Sequence, residues 1–258
     1  MSEFVLIEKM RPGLVVVTLN RPERRNALSI DLMKQLLDQW KRLESDQQTR
    51  VAILRGAGPV FCAGLDLAEA ENRELVRESA QYVARTLSTL RYSNLVSIAL
   101  LHGAAYAGGA GVIAACDMAI GSNDCKIGFP EARRGLLPAL ISDVLRTKLR
   151  EGDLSELFLV GDPINAQRAQ AMGLLQRVVA HDELLDQARK MAESILAGGP
   201  ETIRQTKKLL HHAYRHQAPP PDQFSQSIDE HLKARFSEEA SEGLRAFLEK
   251  RPANWIIN

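Results

Sequence analysis

Strand-like and helix-like segments alternate up to about residue 140, and this alternation is what most limits the folds open to the chain. The runs VVVTLN, VAILRG and LVSIALL are apolar and rich in β-branched residues, which predicts buried strands. Between the first two runs, Ser29 can cap a helix in which Leu32, Leu36, Trp40 and Leu43 recur at helical spacing. Strands that alternate with helices predict an α/β fold.

The pattern changes near Leu140, after which helical periodicity dominates. LLQRVV is the only strand predicted in this second part, and APPPD is predicted to be a stiff linker before two closing helices. We therefore expect a core formed by residues 1–195 and a C-terminal helical region formed by residues 196–258.

Charge and hydropathy indicate an ordinary soluble protein. Lys and Arg number 33 against 32 Asp and Glu, so the chain lacks the global basic field typical of nucleic-acid-binding proteins. No apolar run approaches the roughly 20 residues that span a bilayer, and the first ten residues lack the features of a signal peptide. We expect a cytoplasmic protein that binds neither nucleic acid nor membrane.

Cysteine and histidine spacing does not predict a metal site. The three cysteines, Cys62, Cys116 and Cys125, show no C-x-x-C spacing, so we expect buried thiols in a reducing compartment. His212 and His216 lie four residues apart, but neither Glu nor Cys is nearby to complete a metal-binding set.

Glycine is concentrated in the segment YAGGAG, where Gly108, Gly109 and Gly111 precede an apolar helix. The first amides of a helix lack partners and lie at the positive end of its dipole, and glycine lets an acceptor approach them. The segment FCAGLDL has the same character. Two such amides that converge on one oxygen would form an oxyanion hole. The alternative for each segment taken alone is close helix packing, which small residues also allow.

A dinucleotide-binding site is a further alternative. GAGVIA fits G-x-G-x-x-A, and Glu131 follows Gly111 by about 20 residues, as an acidic residue does in that fingerprint. The preceding strand, however, is predicted to end near His102, too far before the motif for a tight turn. The context therefore argues against this interpretation.

Several segments, in the same order, resemble signatures of the enoyl-CoA hydratase/isomerase family, also called the crotonase family, over nearly the whole chain. LNRPERRNALS resembles its N-terminal signature, and FCAGLDL resembles F-C-A-G-x-D-[IL]. HGAAYAGGAGVIAACDMAI resembles the central glycine-rich block, and FPEARRGLLPA resembles P-E-x-x-x-G-[IL]-x-P. GDPINAQRAQAMGLLQRVV and EGLRAFLEKRPANW resemble the later signatures.

This resemblance implies a crotonase-like spiral of ββα repeats followed by a helical trimerisation region. It implies that residues 1–195 bind a coenzyme A thioester as the substrate, without a cofactor or metal. It also implies a homotrimer or a dimer of trimers.

The resemblance also implies site residues. The thioester oxygen would lie between the amides of Leu65 and Gly108, and Glu131 matches one of the family's two catalytic glutamates. Phe247 and Lys250 match a signature that can contact CoA from a neighbouring subunit. The residues implied to contact substrate or CoA are Arg24, Arg25, Ala27, Ala63, Leu65, Asp66, Leu67, Ala68, Gly108, Phe247 and Lys250.

The main departure from the family pattern is at Gly111, where the other catalytic glutamate would lie. Two carboxylates serve hydration of an enoyl thioester, whereas movement of a double bond needs one base. We expect hydration or double-bond isomerisation of an enoyl-CoA through a thioester enolate. The alternatives are hydrolysis or C–C cleavage through the same enolate, or a catalytically idle CoA-binding protein in which Glu131 pairs with Arg133 or Arg134.

Overall fold

The computed structural model describes residues 3–66, 68–69, 72, 74–213 and 224–255. The strands of its larger sheet are β1 Val5–Arg11, β2 Leu14–Leu19, β3 Val51–Gly56, β4 Val96–Leu101, β6 Met118–Ser122 and β9 Arg177–Val179. They follow the order β1-β2-β3-β4-β6-β9. The first pair is antiparallel and all later neighbours are parallel.

A second sheet is short and lies beside the glycine-rich segment. Its strands are β5 Ala104–Tyr106, β7 Lys126–Gly128 and β8 Ile164–Asn165. The first two are parallel, and the third is antiparallel to the second.

Helices surround the two sheets and form the C-terminal part of the chain. Their bounds are α1 Ile30–Ser45, α2 Val76–Tyr92, α3 Gly108–Ala115, α4 Ala139–Leu145, α5 Glu151–Ser155, α6 Ala166–Met172, α7 Leu184–Leu196, α8 Pro200–Ala213, α9 Phe224–Arg235 and α10 Glu238–Leu248. Among the described residues, no helix is long and apolar enough to cross a bilayer.

Both faces of the central strands β2, β3 and β4 are buried, as is usual for parallel strands. Val15 and Val17 of β2 face the main core beneath α1, α2 and α3, whereas Leu14 and Val16 face a second cluster that α7 covers. The side chain of Ser29 caps α1 as predicted, because its hydroxyl accepts a hydrogen bond from the Leu32 amide at 3.2 Å. The mixed α/β architecture therefore agrees with the sequence prediction.

The second half of the chain departs from the prediction at one strand. LLQRVV contributes β9, but it is not the only strand there, because Ile164 and Asn165 form β8. A two-residue strand is too short to leave a periodic signal. The predicted linker at residues 218–222 lies outside the described residues. The proposed boundary between residues 195 and 196 falls within α7 and stays a prediction.

The C-terminal helices pack directly on the core of the same chain. Helix α9 packs against α2 and α4, and α10 packs against the 3-10 turn Ala132–Arg134. A Cβ atom at Gly243 would lie 2.4 Å from the carbonyl of Arg134, so only glycine allows α10 to approach this closely. The tail therefore forms part of the wall around the turn that carries Glu131.

Candidate active site

Two isolated β-bridges hold the FCAGLDL loop against its neighbours. Cys62 pairs with Ala105, and Leu65 pairs with Leu28. Gly64 has a φ of +100°, and a Cβ atom there would lie 3.0 Å from the carbonyl oxygen of Tyr106. The loop thus contacts the segment that leads directly into α3.

Two of the three glycines at the start of α3 lie where the chain leaves no space for a side chain. A Cβ atom at Gly109 would lie 2.6 Å from the carbonyl oxygen of Cys62, and one at Gly111 would lie 2.7 Å from Cγ2 of Ile141. Close packing therefore explains Gly109 and Gly111. Ala107, with φ 48° and ψ −120°, turns the chain so that α3 begins at Gly108.

Two amides at this junction remain open. Within the described part of the chain, neither the amide of Leu65 nor that of Gly108 has a hydrogen-bond acceptor. The adjacent amides are engaged, because Ala107 donates to Gly128 at 2.9 Å and Asp66 donates to Leu28 at 3.2 Å. Open donors of this kind are one requirement of an oxyanion hole.

Both segments line a cavity of about 600 Å³. The predicted site residues that line it are Arg24, Arg25, Ala27, Ala63, Leu65, Asp66, Ala68, Gly108, Glu131 and Phe247. Apolar side chains supply much of the remaining wall, among them Val83, Leu136, Leu137, Pro138, Leu140, Ile141 and Leu244. Leu67 lies outside the described residues, and Lys250 follows α10 without lining the cavity.

Glu131 is a buried carboxyl group that lines the cavity. The amides of Arg134 and Leu136 donate to its carbonyl oxygen at 2.9 Å, which fixes the turn. Its side-chain Oε2 has no hydrogen-bond partner among the described residues. Burial raises the pKa of Glu131 to about 7, while its own backbone amide and the charge of Arg134 lower the pKa in part. A carboxyl group in this range can accept and return a proton near neutral pH.

The neighbouring arginines do not form a structural ion pair with Glu131. Arg133 pairs with Asp162 at 2.6 Å and donates to the carbonyl of Val160. The guanidinium of Arg134 lies over the ring of Phe247, with 4.0 Å between its Cζ atom and the ring centroid. The alternative of a catalytically idle protein depended on an ion pair between Glu131 and Arg133 or Arg134, and neither arginine forms one with Glu131.

The mouth of the cavity is basic. Arg24 and Arg25 are exposed and follow one another at the end of a 3-10 turn. Asp66 also lines the cavity, but its carboxylate forms an ion pair with Arg21 and accepts from the Ala68 amide. Asp66 therefore organises the loop, and its side chain is not free to act as a base.

Sequence reasoning missed Asn26, which is fully buried and holds this region together. Its side-chain amide donates to the carbonyls of Ala57, Val60 and Phe61, and its Oδ1 accepts from the Arg21 amide. The position of Asn26 within RRNALS indicates at most a turn. The three carbonyls that it binds lie more than 30 residues away, so no local pattern predicts these hydrogen bonds. Ile141 and His231 were missed for the same reason, and both line the cavity.

The other chemistries weighed from the sequence find little support here. The GAGVIA segment lies inside α3 rather than at a strand-to-helix turn, so it is not a dinucleotide fingerprint. Cys62 is buried, and burial raises the pKa of its thiol to about 12, which makes it a poor nucleophile. The described residues contain no group of three or more potential metal ligands.

Comparison with known proteins gives a consistent result. The model of the enoyl-CoA hydratase/isomerase family matches residues 9–257. An enoyl-CoA hydratase of Mycobacterium tuberculosis is 33% identical over 97% of this chain and 95% of its own length. A mevalonyl-coenzyme A hydratase of Aspergillus fumigatus is 31% identical over 97% and 94%. The crystal structure of an enoyl-CoA hydratase from Mycobacterium avium superimposes with a TM-score of 0.89 at 31% identity, covering 99% of this chain and 100% of that one.

The burial of Glu131 predicts a pH-dependent effect of Glu131→Gln on stability. In the unfolded chain the carboxyl ionises near its ordinary pKa of 4.5, whereas in the folded protein it ionises near 7. The parent therefore loses stability relative to the variant as pH rises from 4.5 to 7, by about 3 kcal/mol in total. Denaturant unfolding between pH 4 and 8 measures this difference, with exposed Glu151→Gln as the control. A difference that stays constant with pH would contradict the burial of this carboxyl.

Proposed function

The chain belongs to the enoyl-CoA hydratase/isomerase family, and from this premise we propose that it catalyses hydration or double-bond isomerisation of an enoyl-CoA. The thioester oxygen accepts hydrogen bonds from the amides of Leu65 and Gly108. Glu131 moves the proton. The observation that carries the proposal is one buried carboxyl group with an open oxygen, in the same cavity as two amides that lack acceptors.

Isomerisation follows simply from this geometry. The Glu131 carboxylate removes a proton from the carbon next to the thioester carbonyl, and the electron pair moves onto the thioester oxygen. The two amides stabilise the enolate that forms, since they are already oriented when the charge develops. The carboxylic acid then returns the proton two carbons further along the acyl chain, which shifts the double bond.

Hydration places a greater demand on the same site. A water molecule must be positioned, and it must lose a proton as its oxygen adds to the acyl chain. A proton must also reach the carbon next to the thioester carbonyl. Glu131 would perform both transfers, because the other carboxylates that line the cavity are Glu23, which is exposed, and Asp66, which is paired with Arg21. Burial lowers the pKa of His231 to about 4, so this side chain is uncharged near neutrality.

The remaining parts of the cavity suit a CoA thioester. Arg24 and Arg25 offer exposed guanidinium groups to the phosphates, and arginine is well matched to phosphate geometry. Ala27, Ala63 and Ala68 leave the backbone accessible to an adenine. We further propose that the enzyme works in the cytoplasm, within fatty acid metabolism, and that its chemistry requires no cofactor.

Substitution of Glu131 tests the proposed function most directly. Glu131→Gln keeps the shape of the side chain but cannot take up the proton, so turnover should fall by roughly 10²- to 10⁴-fold. Affinity for butyryl-CoA should change little, which calorimetry would show. Exposed Glu151→Gln serves as the matched control with full activity. Near-normal turnover by Glu131→Gln would eliminate Glu131 as the acid/base.

The space around Gly111 generates a second test. A glutamate there would collide with Ile141, so Gly111→Glu alone should destabilise the protein. Combined with Ile141→Ala, the same glutamate gains room and should raise hydration of a short 2-enoyl-CoA relative to 3-to-2 isomerisation by roughly tenfold or more. The matched control is Gly111→Gln with Ile141→Ala. An equal ratio in the two double variants would show that the second carboxylate is irrelevant here.

We propose a homotrimer or a dimer of trimers. Four large apolar side chains on or beside the last three helices are about half exposed or more on the single chain. They are Leu209, Leu210, Phe236 and Leu248. Large apolar side chains left exposed in this way favour association if they lie on a shared surface. Light scattering at micromolar concentration should therefore give a mass near three or six chains, and a stable monomer would contradict the proposal.

A further inference from the structure

Arg134 is a half-buried cation in the cavity whose guanidinium contacts the ring of Phe247 but has no ion-pair partner among the described residues. Within the described part of the chain, its guanidinium donates no hydrogen bond and forms no ion pair. Arg133, which lines the same cavity, differs because Asp162 and the carbonyl of Val160 engage it. The open N–H groups of Arg134 are therefore available to a bound molecule.

Neighbouring residues restrict both the side chain and the backbone of Arg134. Its planar group stacks on the ring of Phe247, an arrangement that orients the donors and restricts the side chain. Gly243 of α10 contacts the Arg134 carbonyl, and Gly135 contacts the backbone of Glu239, so α10 holds the backbone of the turn. Such a constrained arginine loses little entropy when it binds an anion.

Arg134 lies at the reacting end of the cavity. It ends the 3-10 turn that begins directly after Glu131, its charge lowers the pKa of Glu131 in part, and it lines the same cavity as Tyr106 and Gly108. The phosphates of CoA are far from this point, because the pantetheine arm separates them from the thioester. An anion bound by Arg134 therefore belongs to the acyl group.

The cavity that Arg134 lines is apolar over much of its wall and has no unpaired buried anion other than Glu131 among the described residues. Val83, Leu140 and Ile141 are apolar, His231 is uncharged near neutrality, and Arg235 is a further cation in the lining. Partial burial of a guanidinium is costly unless an anion is paired with it, and burial lowers the pKa of Arg134 from its ordinary value. A saturated hydrocarbon tail would leave that cost uncompensated.

We propose that Arg134 recognises a carboxylate on the acyl group, so that the substrate is the CoA thioester of a dicarboxylic acid. This inference rests on the proposed function. The guanidinium and the substrate carboxylate form a charge-assisted hydrogen-bonded pair beside Glu131. The same pairing neutralises the substrate's charge, which would otherwise oppose ionisation of the catalytic carboxyl.

Binding of matched saturated thioesters tests the proposal without turnover. Calorimetry would compare malonyl-CoA with propionyl-CoA, succinyl-CoA with butyryl-CoA, and glutaryl-CoA with pentanoyl-CoA, since chain length decides whether the carboxylate reaches Arg134. In at least one pair the carboxylated thioester should bind roughly 10- to 100-fold more tightly, as expected for a hydrogen bond between charged groups. Arg134→Met should abolish that preference, Arg134→Lys should keep part of it, and Arg133→Met should keep it.

The outcomes separate this inference from the proposed function. If no thioester binds the parent protein, the proposed function itself fails. If the members of every pair bind equally, or if the preference persists in Arg134→Met, the carboxylate inference is wrong while the proposed function stands. If Arg134→Met only shifts the pH profile of turnover and leaves all binding ratios unchanged, Arg134 serves solely to tune Glu131, and the inference is again overturned.

Discussion

The close approach of two backbone segments is the constraint on which the site depends. The FCAGLDL loop and the start of α3 touch at Gly64 and Gly109, where a side chain would collide with a carbonyl oxygen of the opposite segment. The bridge between Cys62 and Ala105 fixes their register. Because these contacts use the neighbouring amides and carbonyls, the amides of Leu65 and Gly108 are left open at the point of convergence.

The position of Glu131 depends on a second contact, between the core and the C-terminal tail. The 3-10 turn is held by hydrogen bonds to the carbonyl of Glu131 itself and by the close contact between Gly243 of α10 and the backbone of Arg134. Desolvation in this enclosed position is what raises the pKa of the carboxyl toward neutrality. The tail is therefore part of the environment of Glu131 in its own chain, a contact that the resemblance to a trimerisation region does not by itself predict.

The sequence predicts the features that have strong local signals. β3, β4 and α1 with its Ser29 cap carry clear periodicity or capping chemistry, and Glu131 stands in a recognisable motif. Other features arise only when distant segments meet. The collision between Gly111 and Ile141, the three carbonyls that Asn26 joins, and the placement of Phe247 in the cavity all link residues far apart in the chain. No periodic pattern encodes such pairings.

The charge distribution of the cavity connects these observations. Where a second carboxylate would extend from position 111, Ile141 fills the space, so the cavity has Glu131 but lacks the other glutamate of the family pattern. Arg134 adds a positive group on the turn that carries that carboxyl. Under the proposed function, the absence of a glutamate at position 111 and the positive charge of Arg134 both favour negative charge on the substrate, on the thioester oxygen during enolate formation or on the acyl group throughout. An anionic acyl chain would be repelled less in such a cavity than beside two carboxylates.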